Sequence, residues 1–156
     1  MRFGTIGALS LVLGLGACAT PYQEMGFRGG VTAEQITGDT FRIAARGNGY
    51  TSNRTVQDYV LLKAAETAQQ HGQTHFAILG LQDASSSYTE TRGAVSGSVG
   101  SSGFSGYGSS FTDTVIKPGQ DTMIRIFTPS PSSPPIPGTF SAADIIRYVG
   151  SRVKRD

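Results

Sequence analysis

Residues 40–82 constrain the fold most, because they contain a strand pattern, a helix pattern and a second strand pattern in succession. Residues 40–46 alternate apolar and polar side chains, which is typical of a strand with one buried face. Residues 55–71 carry apolar side chains at helical spacing, and Gly72 can adopt the positive φ that often ends a helix. Residues 74–82 are apolar enough for an inner strand. The pattern predicts a β-α-β unit.

The predicted helix begins near Thr55. Its hydroxyl can accept a hydrogen bond from the first helical turn, and Asp58 stands three residues later, as in a capping box. The helix is expected to pack its alanine-rich face closely on a sheet.

Three further strand segments follow the second strand. Residues 87–92 alternate polar β-formers and suit an exposed extension. Residues 111–116 and 122–127 flank Lys117-Pro118-Gly119-Gln120, whose Pro-Gly centre favours a type II turn. The sequence therefore predicts a closing hairpin over 111–127.

The segment 93–110 separates these strands, and thirteen of its eighteen residues are glycine or serine. Such a composition indicates a flexible loop. Aromatic residues spaced in and beside a flexible segment fit coupled folding and binding, whereas a disordered insertion with incidental aromatics is the other interpretation. The candidate partner-contact residues are Tyr88, Phe104, Tyr107 and Phe111.

The C-terminal part combines a proline-rich segment with a helix pattern. Five of the seven prolines fall within 129–137, so residues 128–139 are expected to form a stiff spacer. A C-terminal helix over 140–156 is predicted, because Ser141 suits the N-cap and Phe140 and Ile145 suit a hydrophobic staple. Together these patterns predict an α+β fold: a small β-α-β-β sheet of three to four strands over 39–127, one packed helix and the additional C-terminal helix.

The N-terminal residues 1–17 form a separate unit. They contain a charged start, an apolar stretch over 5–15 and small residues before Cys18. The apolar stretch is too short to cross about 30 Å of hydrocarbon as a permanent helix. We therefore interpret residues 1–17 as a cleaved signal peptide.

Leu15-Gly16-Ala17-Cys18 resembles the lipobox of bacterial lipoproteins, in which the cysteine carries diacylglycerol and an N-acyl chain. Cys18 is the sole cysteine of the chain, so an intramolecular disulfide is excluded. The alternative is an ordinary cleavage at Ala17-Cys18-Ala19 that leaves a thiol. Lipidation predicts attachment to a membrane, and Ala19 at the second mature position favours the outer membrane by resemblance to the Gram-negative sorting rule. Residues 18–38 would then be the lipidated cysteine and a tether.

The charge balance argues against a nucleic-acid partner. The chain has 13 basic and 11 acidic residues, and loss of Arg2 with the signal peptide leaves it close to neutral.

Motifs for catalysis or cofactor binding are weak. Residues 47–52 approach a G-x-G-x-x-G loop, but Ser52 replaces the third glycine. His71 and His75 have a ligand-like spacing that Gly72 interrupts. We therefore predict no catalytic, cofactor-binding or metal site.

Residues 48–76 contain Asp58-Tyr59-Val60-Leu61-Leu62-Lys63-Ala64-Ala65-Glu66, then Gly72 and Phe76. This run resembles a family of small alphaproteobacterial envelope lipoproteins of uncharacterised activity. The resemblance implies a β-α-β-β core and an envelope location, and it implies no particular activity.

Two functional hypotheses follow. In the first, the domain is a non-catalytic structural or binding module on the periplasmic side of the envelope, with another protein, peptidoglycan or a lipid-assembly component as its partner. In the second, it is an envelope enzyme whose site is scattered along the sequence. A pocket of convergent polar groups with altered pKa would favour the enzyme, and an aromatic patch or an edge strand would favour binding.

Overall fold

The computed structural model describes residues 18–100, 103–131 and 136–155, which form the α+β fold that the sequence predicts. One sheet is covered on a face by a long helix, and a separate two-stranded ribbon leaves the sheet at one end. The elements in chain order are β1 (Gly30–Gln35), β2 (Thr40–Arg46), α1 (Asn53–Gln70), β3 (His75–Asp83), β4 (Ser86–Gly100), β5 (Gly103–Lys117), β6 (Gly119–Phe127), β7 (Thr139–Ser141) and α2 (Ala142–Tyr148), followed by a 3₁₀ turn over Gly150–Arg152.

The main sheet has five strands in the order β1-β2-β6-β3-β7, rather than the predicted three to four. Every neighbouring pair is antiparallel, so β2 and β3 run parallel to each other on either side of β6. Helix α1 connects these two strands across one face of the sheet. The predicted β-α-β-β arrangement thus forms the centre of the sheet, and β1 and β7 add an edge on each side.

Helix α1 begins at Asn53, two residues before the predicted start. The predicted cap by the Thr55 hydroxyl is wrong, because the Ser52 hydroxyl caps the helix by accepting a hydrogen bond from the Thr55 amide at 3.1 Å. The predicted C-terminal boundary is confirmed, because the helix ends at Gln70 and Gly72 follows with a φ of +69°.

The core lies between α1 and the sheet. Residues Phe41, Ile43 and Ala45 of β2 are buried, which confirms the alternation read from the sequence. Three alanines of α1 have no exposed surface, and their short side chains let the helix approach the strands closely. Phe76 of β3 is fully buried and stacks on Phe140 with a centroid distance of 5.4 Å.

The predicted tether over 18–38 is wrong, because most of this segment belongs to the folded domain. Residues 30–35 are the edge strand β1, whose Val31 faces Ala45 of β2 in register and is 1% exposed. Thr20 and Tyr22 are also buried. Glycines and isolated polar residues obscure the short apolar alternation of β1, which is stabilised by contacts that are distant in sequence: pairing with β2 and burial of Val31 in the core.

The predicted hairpin over 111–127 is also wrong. Strand β5 pairs with β4, whereas β6 pairs with β2 and β3. Ile124 and Ile126 of β6 are buried beneath α1, so hydrophobic burial places this strand at the centre of the sheet. Residues 117–119 therefore join two different sheets instead of forming a hairpin turn.

The expectation that the glycine- and serine-rich segment 93–110 forms a flexible loop is wrong for residues 93–100 and 103–110, which continue the strands β4 and β5; residues 101 and 102 lie outside the described part of the chain. The backbone pairing runs from Ser86↔Lys117 to Gly100↔Gly103. We call this two-stranded sheet the β4–β5 ribbon. The expected exposed strand over 87–92 is its first part.

The C-terminal helix is confirmed but shorter than predicted. The Ser141 hydroxyl accepts a hydrogen bond from the Asp144 amide at 3.3 Å, and α2 ends at Tyr148. The proline-rich segment partly joins the fold, because β7 begins at Thr139; residues 132–135 lie outside the described part of the chain. Helix α2 packs against α1, with Val149 buried at its end.

We expect Val31→Ala to lower the free energy of unfolding by about 2 kcal/mol, because it removes two buried methyl groups and leaves a cavity. Ile36→Ala is the matched control, since Ile36 is 43% exposed and its truncation is expected to cost at most about 0.5 kcal/mol. Urea denaturation of both variants measures the difference. Equal stabilities would show that β1 is not part of the folded core.

Candidate functional site

A groove of about 940 Å³ lies between the N-terminal segment, the loop after β2 and the base of the ribbon. We call it the Cys18 groove. It lies where β2 ends and β6 begins, so it occupies one end of the main sheet. Its lining residues are Cys18, Phe27, Arg28, Asn48, Gly49, Tyr50, Tyr88, Glu90, Arg92, Asp113, Val115 and Lys117.

Cys18 is exposed and forms no disulfide, and the chain around it is firmly held. The Cys18 carbonyl accepts a hydrogen bond from the Asn48 side-chain amide at 2.8 Å. Two residues later, Thr20 is 2% exposed, and its amide donates to the Thr51 hydroxyl at 3.0 Å. The Thr20 carbonyl accepts from the Tyr59 hydroxyl of α1 at 2.6 Å. The chain therefore enters the folded domain almost immediately after Cys18.

A tight turn at residues 26–29 forms one wall of the groove. Gly26 and Gly29 exchange two backbone hydrogen bonds of 3.0 Å, which leaves Phe27 and Arg28 at the tip. Gly29 has a φ of +94°, and a Cβ atom there would lie 2.4 Å from the Arg46 carbonyl oxygen, so the turn requires glycine. The Phe27 side chain is fully exposed. The turn thus presents an aromatic and a cationic side chain to solvent.

The loop after β2 forms the second wall. The Asn48 side-chain oxygen accepts hydrogen bonds from the Tyr50 amide and the Thr51 hydroxyl, both at 3.0 Å. This arrangement leaves Tyr50 77% exposed. Gly49 of the near G-x-G-x-x-G sequence allows the loop to pack closely on the ribbon, because a Cβ atom at this position would lie 2.5 Å from the Val115 side chain.

The base of the ribbon forms the third wall. The Lys117 ammonium lies 4.9 Å from the centroid of the Tyr88 ring, a cation–π contact. Arg92 and Glu90 form an ion pair at 3.0 Å. The Glu90 carboxylate accepts a hydrogen bond from Arg92 and raises the pKa of its guanidinium, so Arg92 remains a cation. The groove therefore combines aromatic rings with charges of both signs.

The structure brings together only part of the predicted contact set. Tyr88 lies in the Cys18 groove and is 46% exposed. Phe104, Tyr107 and Phe111 belong to β5 and pair in register with Val99, Ser96 and Arg92, but their side chains lie outside the described part of the structure.

Sequence reasoning missed Phe27, Arg28 and Tyr50 as groove residues. The two-residue spacing between Gly26 and Gly29 was the signal for a tight turn. The prediction of a tether over residues 18–38 did not take this turn into account.

The two histidines lie apart from the groove and have structural contacts. The His71 ring packs edge-on against Phe41, with centroids 4.7 Å apart, and its Nδ1 lies 2.9 Å from the Thr67 carbonyl. His75 Nδ1 lies 2.8 Å from the Thr74 hydroxyl. Among the described residues there is no cluster of three or more candidate metal ligands, and no described helix is long and apolar enough to cross a bilayer.

Tyr22 connects the N-terminal segment to α1. Its hydroxyl donates to the Glu66 carboxylate at 2.5 Å, and its ring meets Tyr59 edge-to-face at 5.4 Å. Burial is the main cause of a strongly raised Tyr22 pKa, and the hydrogen bond to Glu66 adds to it. Arg155 pairs with the same carboxylate at 2.8 Å, so both ends of the described chain meet on α1.

We expect Tyr22→Phe to reduce the free energy of unfolding by about 1.5 kcal/mol at neutral pH, because it removes a hydrogen bond to a carboxylate. The raised pKa means that Tyr22 stabilises the fold fully below the unfolded-state pKa of about 10, and that this contribution is lost as the pH rises further. The difference between wild type and variant should therefore shrink above pH about 10, by up to about 1.4 kcal/mol per pH unit.

Urea denaturation as a function of pH measures this effect, and Tyr148→Phe is the control because Tyr148 is 57% exposed. A constant difference between wild type and Tyr22→Phe across the alkaline range would contradict the assignment.

The chain matches no protein-family model, no curated protein and no solved structure. The resemblance of residues 48–76 to small envelope lipoproteins therefore stays a prediction. The function is therefore inferred from the residues of this chain and from the geometry of the Cys18 groove and the ribbon.

Proposed function

We propose that this chain is a lipid-anchored, non-catalytic binding module of the bacterial envelope. In this proposal, diacylglycerol and an N-acyl chain on Cys18 attach the domain to the outer membrane, where it faces the periplasm. The lipobox-like sequence over 15–18 supports the modification, and the exposure of Cys18 leaves its sulfur accessible. Ala19 at the second mature position supports the outer membrane rather than the inner one.

The β4–β5 ribbon is the observation that carries the binding role. Each strand has fifteen residues and spans about 50 Å when extended. Within the described residues, the two strands pair only with each other, so each has one edge of unpaired backbone groups. Such edges recognise an added strand through main-chain hydrogen bonds. An isolated two-stranded sheet is marginally stable by itself, so a partner would also stabilise it.

The chemistry of the edge favours a protein partner over peptidoglycan. An extended polypeptide supplies alternating donors and acceptors at the spacing of the strand, whereas a glycan chain does not. Tyr88, Lys117 and the ion pair of Arg92 with Glu90 at the ribbon base offer side-chain contacts beside that edge. These features support binding more than acid–base catalysis, because Lys117 contacts an aromatic ring and Arg92 is paired with Glu90.

We expect the protein from its native host to carry the mass of the acyl chains and to fractionate with the outer membrane, whereas Cys18→Ala should lose both properties. Intact-mass spectrometry and membrane fractionation measure the two outcomes. The variant should unfold at the same temperature as the unmodified wild type, because Cys18 is exposed. An unmodified native protein with a reactive thiol would refute the anchor.

The binding role predicts position-dependent crosslinking in native membranes. Replacement of Tyr88 by photoreactive p-benzoylphenylalanine should yield a discrete adduct, and the same replacement at Tyr148 should not, although both tyrosines are about half exposed. The adduct is expected to disappear when residues 93–110 are deleted. Adducts of equal yield at both positions, or an adduct unaffected by the deletion, would rule out the ribbon as the binding element.

A further inference from the structure

Cys18, the proposed anchor site, lies close to the folded domain, and this limits the orientations that the domain can adopt on a membrane. Thr20 is buried and hydrogen-bonded to Thr51 and Tyr59, and only two peptide units separate it from Cys18. Two extended residues span at most about 7 Å. A lipid on Cys18 would therefore hold this end of the domain against the bilayer rather than let it move freely on a tether.

The 26–29 turn is coupled to the same anchor point. The Thr20 hydroxyl donates a hydrogen bond of 2.9 Å to the Arg28 carbonyl, and the Asn48 amide donates to that same hydroxyl at 3.0 Å. Thr20 thus joins the turn and the loop that carries Tyr50. The tip of the turn cannot shift away from Cys18 without breaking these bonds.

The side chains on this end of the domain have the chemistry of a membrane interface. Phe27 is fully exposed at the turn tip, and Tyr50 is 77% exposed on the neighbouring loop. Tyrosine and tryptophan concentrate at the headgroup level of bilayers, phenylalanine can enter the boundary between headgroups and acyl chains, and basic residues bind anionic headgroups. Arg28 is exposed beside Phe27, and it forms no ion pair with the described carboxylates. Lys117 lines the same groove.

We propose that the end of the domain formed by Cys18, the 26–29 turn and Tyr50 contacts the phospholipid bilayer directly. Phe27 inserts among the headgroups, Tyr50 lies at the same level, and Arg28 binds an anionic phosphate. This inference depends on the proposed lipidation of Cys18 and adds a fixed orientation to it. The opposite end of the sheet, with the turn over 36–39, then faces away from the membrane.

Tryptophan fluorescence tests this orientation, because the chain contains no tryptophan of its own. The lipidated Phe27→Trp and Ile36→Trp variants are each reconstituted into vesicles of equal parts phosphatidylcholine and phosphatidylglycerol with brominated acyl chains. Both sites are exposed, and they lie at opposite ends of the sheet. The expected result is a blue-shifted emission and several-fold stronger bromine quenching for Phe27→Trp than for Ile36→Trp. Tyr50→Trp is a second reporter at the membrane end and should follow Phe27→Trp.

The contribution of the Arg28 charge to the membrane contact is tested in the Phe27→Trp variant. Arg28→Glu should reduce quenching in the vesicles that contain phosphatidylglycerol and have a smaller effect in vesicles of phosphatidylcholine alone. A charge reversal without effect in either lipid would overturn the phosphate contact of Arg28.

Two failures are distinguishable. A protein that does not float with the vesicles lacks the lipid anchor, which overturns the proposed function and this orientation with it. A protein that floats but shows equal quenching of Phe27→Trp and Ile36→Trp keeps the anchor and overturns the orientation alone.

Discussion

Burial of the N-terminal segment against α1 determines much of the architecture. The sheet covers one side of the helix, and the Tyr22 ring and the Thr20 backbone cover part of the other. The C-terminal tail completes this cover, because the Tyr22 amide donates to the Lys154 carbonyl at 2.9 Å and Arg155 pairs with Glu66. Helix α1 is therefore an inner layer, which explains why buried residues occur around most of its circumference.

Burial of the N-terminal segment would also determine how the folded domain is oriented on the membrane. In the proposed function, the lipid on Cys18 joins the domain at a point that Thr20 fixes relative to α1. The Cys18 groove includes the base of the ribbon, so the proposed partner contact begins beside the bilayer surface. A partner that binds there is expected to be membrane-associated as well. The arrangement of residues around Cys18 would thus determine both the anchoring and the choice of partner.

Close backbone packing connects the ribbon to the main sheet. The Ala84 amide donates to the Gly119 carbonyl at 3.0 Å, and the Gly47 amide donates to the Pro118 carbonyl at 2.8 Å. A Cβ atom at position 119 would lie 2.4 Å from the Ala84 carbonyl oxygen, so glycine is required where the chain passes from β5 to β6. These contacts fix the base of the ribbon, and among the described residues no strand pairs with either of its edges.

The sequence by itself determined the elements whose signals are local. These are β2 from its alternation, α1 from its apolar spacing and Gly72, β3 from its apolar run, and the Ser141 cap of α2. Only the tertiary structure decided the pairing of β6 between β2 and β3, the recruitment of residues 30–35 as an edge strand, and the separation of the ribbon. Strand pairing joins residues far apart in the chain, and although the helix itself has a local pattern, no local pattern shows which strands it will bury. The Cys18 groove therefore could not be predicted from the sequence, because Phe27 and Tyr50 come together with Cys18 only after Thr20 is buried.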